Sequence, residues 1–326
     1  MLKRATFAVI ATLMVLPLIM MVGCGSGGGS ANPIELVPQR ADLVGMVDLS
    51  SILSDNDFAG IYDRLPKKSQ DPQTLGDALD SVKEQIGIDL RQFGEVVFFG
   101  NVSESGDNGG YFGFIVKGDF NRDDLISAIE TRAGIKLSII EYKGYEIYTN
   151  GNETSALSFL SNEMLVIGGM VPVKDVIQVK EGDRAALSGE VLDTYNELGN
   201  ALMKVESVIP ESRRGVLPSL SDGSSIDLSS FADVEKGGLV LAKEGQTISL
   251  KVKLYFTNSK SAESAGRLVS LAQIFTDRLP IPEQGRALVP ELLKKLKVNT
   301  SGTLLTISIE MTASEIGDMM DSSNSS

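Results

Sequence analysis

The sequence contains no histidine, no tryptophan and a single cysteine, Cys24. Without histidine, a Ser-His-Asp triad, imidazole acid–base catalysis and every histidine metal site are excluded. One cysteine cannot form an intrachain disulfide or a thiolate zinc site. The lack of tryptophan disfavours a carbohydrate-stacking platform. These absences remove most catalytic and metal-binding classes, and we expect neither an enzyme nor a cofactor.

Basic residues are fewer than acidic ones, with 30 Lys and Arg against 43 Asp and Glu and a net charge of −13. Phosphate backbones and anionic lipid headgroups repel a body of this charge, so we expect no nucleic-acid partner. The short basic clusters, such as Lys67-Lys68 and Arg213-Arg214, are typical of solvated surface.

The first 24 residues have the order of a secretory signal peptide. Lys3 and Arg4 precede an apolar run from Ala5 to Val22. The end of the signal, Met21-Val22-Gly23-Cys24, resembles the lipobox of bacterial lipoproteins. The resemblance implies cleavage before Cys24, diacylation of its thiol, and a lipid-anchored protein on the extracytoplasmic face of the cell membrane. The alternative is an uncleaved anchor, because a spanning helix needs roughly 20 apolar residues.

A Gly/Ser-rich tether, residues 24–33, follows the predicted signal peptide of residues 1–23. Glycine and serine give a chain little stiffness, so the tether lets the body stand off the bilayer. The spacing of Gly23, Gly25 and Gly28 imitates a dinucleotide-binding fingerprint, but no strand precedes it and no helix follows it.

Short apolar runs between turn residues predict an α+β fold, with mainly antiparallel sheets built from hairpins and with helices packed on one face. One predicted hairpin turns at Glu244-Gly245, and in its second strand Lys251 and Lys253 alternate with apolar residues. Predicted helices include Thr74–Ile86, Asn121–Arg132 and one whose apolar stripe runs from Val191 to Val205. Thr312 and Glu315 are spaced to cap a final helix.

Helices and hairpins alternate in two series, which predicts a tandem duplication: one α+β domain over residues 34–185 and a second over residues 186–320, with a disordered tail at 321–326. The alternative is one sheet that continues through both halves. The body opens on ADLVGMVDLSSIL at residue 41 and, with its repeated α+β units, resembles uncharacterised secreted bacterial domains of unknown function. That resemblance implies no activity.

Three polar or aromatic groups are candidate sites. Oxygen-bearing side chains at Asp119, Asn121, Asp123 and Glu130 match positions 1, 3, 5 and 12 of a calcium-binding loop, although Asp124 stands where that loop needs glycine. The alternative is a helix N-terminus capped by Asn121. The acidic cluster Ser54–Asp57 favours a turn over a metal site. Tyr142 and Tyr148 are both even-numbered, which predicts a shared face that could bind a ligand or pack across strands.

The function that we expect is therefore a lipid-anchored envelope protein with a non-catalytic binding or scaffolding role and an envelope protein as partner. One alternative is a solute-binding lipoprotein of a transporter, which needs a polar cleft between the domains. A second is a hydrolase that uses carboxylates alone, which needs two acids roughly 5 to 10 Å apart in a cleft.

Overall fold

A computed structural model of the chain describes residues 32–65, 67, 71–102, 110–134, 136–151, 154–214, 229–274 and 288–324. Its described strands form one antiparallel sheet of twelve, in the order β11-β12-β10-β9-β8-β1-β2-β3-β7-β6-β5-β4. The predicted α+β class is confirmed. Strands from both predicted domains belong to this single sheet.

The strands are β1 Leu43–Asp48, β2 Phe93–Asn101, β3 Tyr111–Gly118, β4 Ser138–Tyr142, β5 Tyr145–Thr149, β6 Ala156–Ser161, β7 Met164–Gly168, β8 Met203–Val208, β9 Val234–Glu244, β10 Thr247–Phe256, β11 Lys297–Ser301 and β12 Leu304–Thr312. The helices are α1 Leu49–Leu53, α2 Asn56–Asp63, α3 Leu75–Ile86, α4 Arg122–Ala133, α5 Met170–Lys180, α6 Glu190–Glu197, α7 Ser259–Ile274, α8 Leu288–Lys295 and α9 Ala313–Asn324.

Both halves of the sheet are wound in the same way. In the first half, β1, β2 and β3 form a meander, a helix follows, and the chain returns with β7 beside β3. In the second half, β8, β9 and β10 form the meander and β12 returns beside β10. The first half carries one more hairpin. The structure shows the stated alternative, one sheet that continues through both halves, and the duplication stays a prediction.

Helix ends follow the local sequence closely. Thr74 and Asp77 form the predicted capping box of α3, and Gly87 ends that helix with a left-handed φ of 77°. At α9, the Glu315 carboxylate accepts from the Thr312 amide at 2.8 Å, and the Glu315 amide donates to the Thr312 hydroxyl at 3.2 Å. These local bonds satisfy amide groups that a helix N-terminus leaves unpaired.

The helix predicted to reach Val205 ends much earlier. Helix α6 closes at Glu197, Gly199 adopts a left-handed φ of 76°, and β8 begins at Met203. The apolar stripe misled the prediction because Leu202 and Val205 continue its spacing while belonging to the next element. Similarly, α9 runs to Asn324, into the tail that was predicted to be disordered.

The sheet has two faces of different character. The covered face carries Val47, Val116 and Leu241, and it packs against α1 to α4 and α7 to α9. The half-open face carries Val44 and Ile115; α5 and the N-terminal turn Pro33–Leu36 pack on its first half, and α6 packs across β1 and β8. Helices thus lie on one face in both halves and on the other face only over the first half and β8.

Strand β1 joins the two halves, since it pairs with β2 on one side and with β8 on the other. Gly45 lies at the centre of β1, and the ring of Phe98 on β2 covers it. A Cβ at position 45 would lie 2.1 Å from Phe98 Cζ. Glycine is therefore required for close approach here, at the middle of the seam.

A buried carboxylate fixes α5 to the half-open face. Asp175 is 3% exposed and accepts hydrogen bonds from Arg184 at 2.8 Å, from the Tyr111 hydroxyl at 3.1 Å and from Arg40 at 3.4 Å. Burial and the neighbouring carboxylate raise the pKa of Tyr111. Because each polar group is paired, the cluster stabilises the position of α5 without an unsatisfied charge.

We predict that Gly45→Ala lowers the free energy of unfolding by about 1–3 kcal/mol, because Phe98 must leave its place over the seam. The measurement is denaturant unfolding. The control is Gly60→Ala, at an exposed position of α2 where a Cβ meets nothing within 4 Å. This substitution should stabilise the protein by about 0.5–1 kcal/mol. If Gly45→Ala costs as much in a Phe98→Ala background, the ring is not the cause.

Candidate functional site

Cys24, the predicted lipidation site, lies outside the described residues, as does the apolar run before it. Within the ranges that the structure describes, no helix has the length and apolar character needed to cross a bilayer.

The calcium-loop residues form a helix start. Asn121 is the N-cap of α4, and its side chain accepts from the amides of Asp123 and Asp124 at 2.9 and 3.1 Å. Glu130 is committed elsewhere, since it accepts from the Leu137 amide at 3.0 Å. Among the described residues, no group of three or more potential metal ligands is present. The structure therefore favours the capping interpretation of Asn121.

The cluster Ser54–Asp57 is also structural. Asp55 caps α2 by accepting from the amides of Asp57 and Phe58. Lys243 of β9 forms ion pairs with both Asp55 and Asp57 and is 13% exposed. These two carboxylates raise the pKa of Lys243 against the effect of its burial. The cluster thus ties α2 to the second half of the sheet.

Tyr142 and Tyr148 lie on opposite faces of the sheet, so the predicted shared face is wrong. The two-residue turn at Lys143-Gly144 pairs Tyr142 with Tyr145, which reverses the parity across the hairpin. Tyr142 receives a hydrogen bond from Gln178 of α5, and Tyr148 packs on the covered face and contacts Arg122.

The strongest candidate surface is the open half of the half-open face. Strand register defines this surface as two neighbouring rows of side chains that run across β8 to β12. The first row is Lys204, Val240, Lys251, Ser308 and Lys297. The second row is Glu206, Gly238, Lys253, Thr306 and Asn299. We call the part on β10 to β12 the lysine surface; it consists of Ser249, Lys251, Lys253, Lys297, Thr306 and Ser308. Helices α7 to α9 lie on the other side of these strands.

Five lysines of strands β8 to β11 lie on the half-open face, and three of them have partners. Lys204 donates to the Gly199 carbonyl at 3.0 Å, Lys236 pairs with Glu190 at 3.0 Å, and Lys297 pairs with Glu310. Lys204 and Lys236 thus hold α6 near its end and its start. Lys251 is exposed and Lys253 half-buried, and neither forms an ion pair with any residue that the structure describes.

A buried acid borders the lysine surface. Glu206 of β8 is 0% exposed, and neither carboxylate oxygen has a hydrogen-bond partner in the described part of the chain. Its Oε2 would lie 2.7 Å from a Cβ at Gly238, and Leu198 of α6 would lie 2.9 Å from the same point. The carboxylate therefore lies between Gly238 and α6. Any side chain at position 238 larger than that of glycine would occupy the space that the carboxylate fills.

Glu206 has a strongly perturbed affinity for protons. Burial is the main cause, and together with Glu197 and Glu190 it raises the pKa of Glu206 from 4.5 to about 7 against the opposing charges of Lys236 and Lys253. Because a buried carboxylate without a partner is costly when ionised, the folded protein favours the neutral acid.

Sequence reasoning found Lys251 and Lys253 through their alternation with apolar residues, but it missed Glu206. The segment around Glu206, MKVESV, is a strand with alternating character. Extending α6 to Val205 concealed this pattern.

One open cavity lies on the covered face between α7 and β11 and has a volume of about 300 Å³. Its lining is Glu263, Gly266, Arg267, Ser270, Val298 and Thr300. A single carboxylate in this lining does not provide the acid pair that glycoside hydrolysis needs.

Comparison with known proteins gives matches only among solved structures: no family model and no curated protein matches the chain. Crystal form III of TP0453 superposes with a TM-score of 0.51 at 10% identity, covering 90% of this chain and 99% of that chain. Crystal form I of TP0453 gives a TM-score of 0.46 at 12% identity, covering 90% and 98%. At these identities, the likeness to form III concerns the fold alone.

We predict that Asn121→Ala lowers the free energy of unfolding by about 1 kcal/mol, because two amides of α4 lose their acceptor. Asn121→Asp keeps the cap and should retain stability. Calcium should leave the melting temperature of all three proteins unchanged. A rise with calcium, larger in Asn121→Asp, would instead show a metal loop.

We predict that stability falls as pH rises from about 4.5 to 7, because across this window folded Glu206 keeps its proton while the unfolded chain loses it. This titration contributes roughly 3 kcal/mol. Urea unfolding across pH measures the slope. Glu206→Gln should flatten it, whereas Glu244→Gln, at an exposed position of β9, should not. An unchanged slope in Glu206→Gln would contradict the prediction.

Proposed function

We propose that the protein is a lipid-anchored, extracytoplasmic protein that binds its partner through a surface and performs no catalysis. The lysine surface is the observation that carries the binding role. It is a sheet face on which Lys251 and Lys253 stand among hydroxyl side chains and form no ion pair with any described residue, on a chain whose net charge is −13. Its chemistry suits an anionic partner.

The lipid anchor is supported by sequence. Lys3 and Arg4, the apolar run and Cys24 follow one another as a lipoprotein signal requires. Two or three acyl chains hold a protein stably on a bilayer, whereas one holds it only marginally.

The continuous sheet argues against the alternative of a solute-binding lipoprotein. Such a protein closes two lobes over a cleft, and closure needs a hinge between them. Here β1 pairs with β8 from Leu43–Ser207 to Val47–Met203, so the two halves share a ladder of backbone hydrogen bonds. Hinge motion would have to break that ladder.

The anchor is tested by mass spectrometry of the N-terminal peptide from the native protein. We expect a peptide that begins at Cys24, carries acyl groups and has no thiol free for maleimide. Cys24→Ser should abolish labelling by a palmitate analogue. In a Cys24→Ser/Ser26→Cys variant the displaced thiol should stay free, because lipidation depends on position. A native chain that begins at Met1 with an unmodified thiol would disprove the anchor.

A further inference from the structure

We propose that the lysine surface docks on the anionic phospholipid headgroups of the membrane that holds the anchor, and so fixes the orientation of the body. The inference rests on the proposed function in one respect, because it requires the anchor at Cys24. The occupant is identified by charge and by the position of the tether.

Charge supports the inference because the lysine surface differs from the rest of the molecule. Lys251 and Lys253 project from one side of β10, roughly 7 Å apart by strand geometry. Thr306 and Ser308 stand directly beside them on β12. Ammonium and hydroxyl groups together donate hydrogen bonds to phosphate oxygens.

Apart from Glu244, which is exposed at the tip of the β9–β10 hairpin, the acidic groups near the lysine surface are engaged or set back from it. Glu310 pairs with Lys297, Glu190 pairs with Lys236, and Glu206 is buried under α6. Helix α6 packs on β8 and β1, and the charge of Glu197 reaches Tyr255 at the near end of β10, so contact with an anionic surface falls on Lys251, Lys253 and the strands beyond them, β11 and β12.

The acidic net charge helps to orient the body. Charges farther than about 8–10 Å from the headgroups are screened at physiological ionic strength, so the local lysines dominate when they make contact. The chain as a whole carries a net charge of −13, so an anionic bilayer repels its average surface. Repulsion elsewhere and attraction at Lys251 and Lys253 therefore favour one orientation.

The tether reaches the body on the same face of the sheet as the lysine surface, but in the first half, where the N-terminal turn contacts β2, β3 and α5. The first described residues, Asn32 to Leu36, pack on the half-open face, where Leu36 joins its core. Between Cys24 and Asn32 the chain can extend at most about 30 Å. The body is thus held within reach of the headgroups, with its half-open face next to the attachment point.

The test uses the full native chain, anchored in vesicles of phosphatidylcholine alone or of equal parts phosphatidylcholine and phosphatidylglycerol. Acetylation of each lysine is followed by mass spectrometry. Lys251 and Lys253 should be protected in the anionic vesicles only, and salt should remove the protection. Lys294, 62% exposed on α8, reports unprotected reactivity.

Two charge-matched double variants separate the lysine surface from net charge. Lys251→Glu/Lys253→Glu should abolish docking, because each lysine near an anionic surface changes the equilibrium about fivefold. Lys83→Glu/Lys294→Glu makes the same change of net charge on helices of the covered face and should leave docking intact. Lys251→Arg/Lys253→Arg should preserve it.

Equal acetylation of Lys251 and Lys253 in both kinds of vesicle overturns the inference. Protection that occurs in neutral vesicles and grows with protein density also overturns it, and assigns the surface to a protein partner or a second copy. Flotation with neutral vesicles tests the anchor separately from docking. If the native chain does not float with them, the proposed anchor is wrong, and the docking proposal, which requires the anchor, is wrong too. Flotation without protection refutes docking alone.

Discussion

The pairing of β1 with β8 is the constraint on which the remaining architecture depends. It converts two similarly wound halves into one sheet, and it places a strand of the first half against a strand of the second along five residue pairs. Gly45 under Phe98 allows the aromatic side chains of the first half to pack at this seam. Because the halves share a hydrogen-bonded ladder, the described part of the molecule presents sheet faces, and hinge motion between the halves would have to break that ladder.

The period of two in β-strands then decides the chemistry of each face. In β10, Leu250, Val252 and Leu254 point to the covered face, and Lys251 and Lys253 point to the other. A slip of one residue would bury both lysines, so the register is strongly specified. Where α5 and α6 end, the half-open face changes from apolar to charged, and Glu206 lies at that boundary with no hydrogen-bond partner among the residues that the structure describes.

Local chemistry made much of the fold predictable. The caps at Thr74, Asn121 and Thr312, the hairpin turns and the alternation in β10 depend on residues close in sequence, so their patterns identified them. Non-local outcomes were not accessible. Helix α6 ends where it does because Gly199 outweighs an apolar stripe that continues past it. The face on which Tyr148 lies depends on the length of the turn before it. The burial of Glu206 depends on β1, β9 and α6, which meet around it.

The position of β1 also affects how the chain acquires its structure. Its partner β8 follows roughly 160 residues later, and pairings of such long range form slowly because the intervening loop must first close. Until then the free edge of β1 exposes backbone donors and acceptors that any other extended segment could pair with. The edge of β1 that β8 will cover is therefore open to mispairing until the second half of the chain has folded against it.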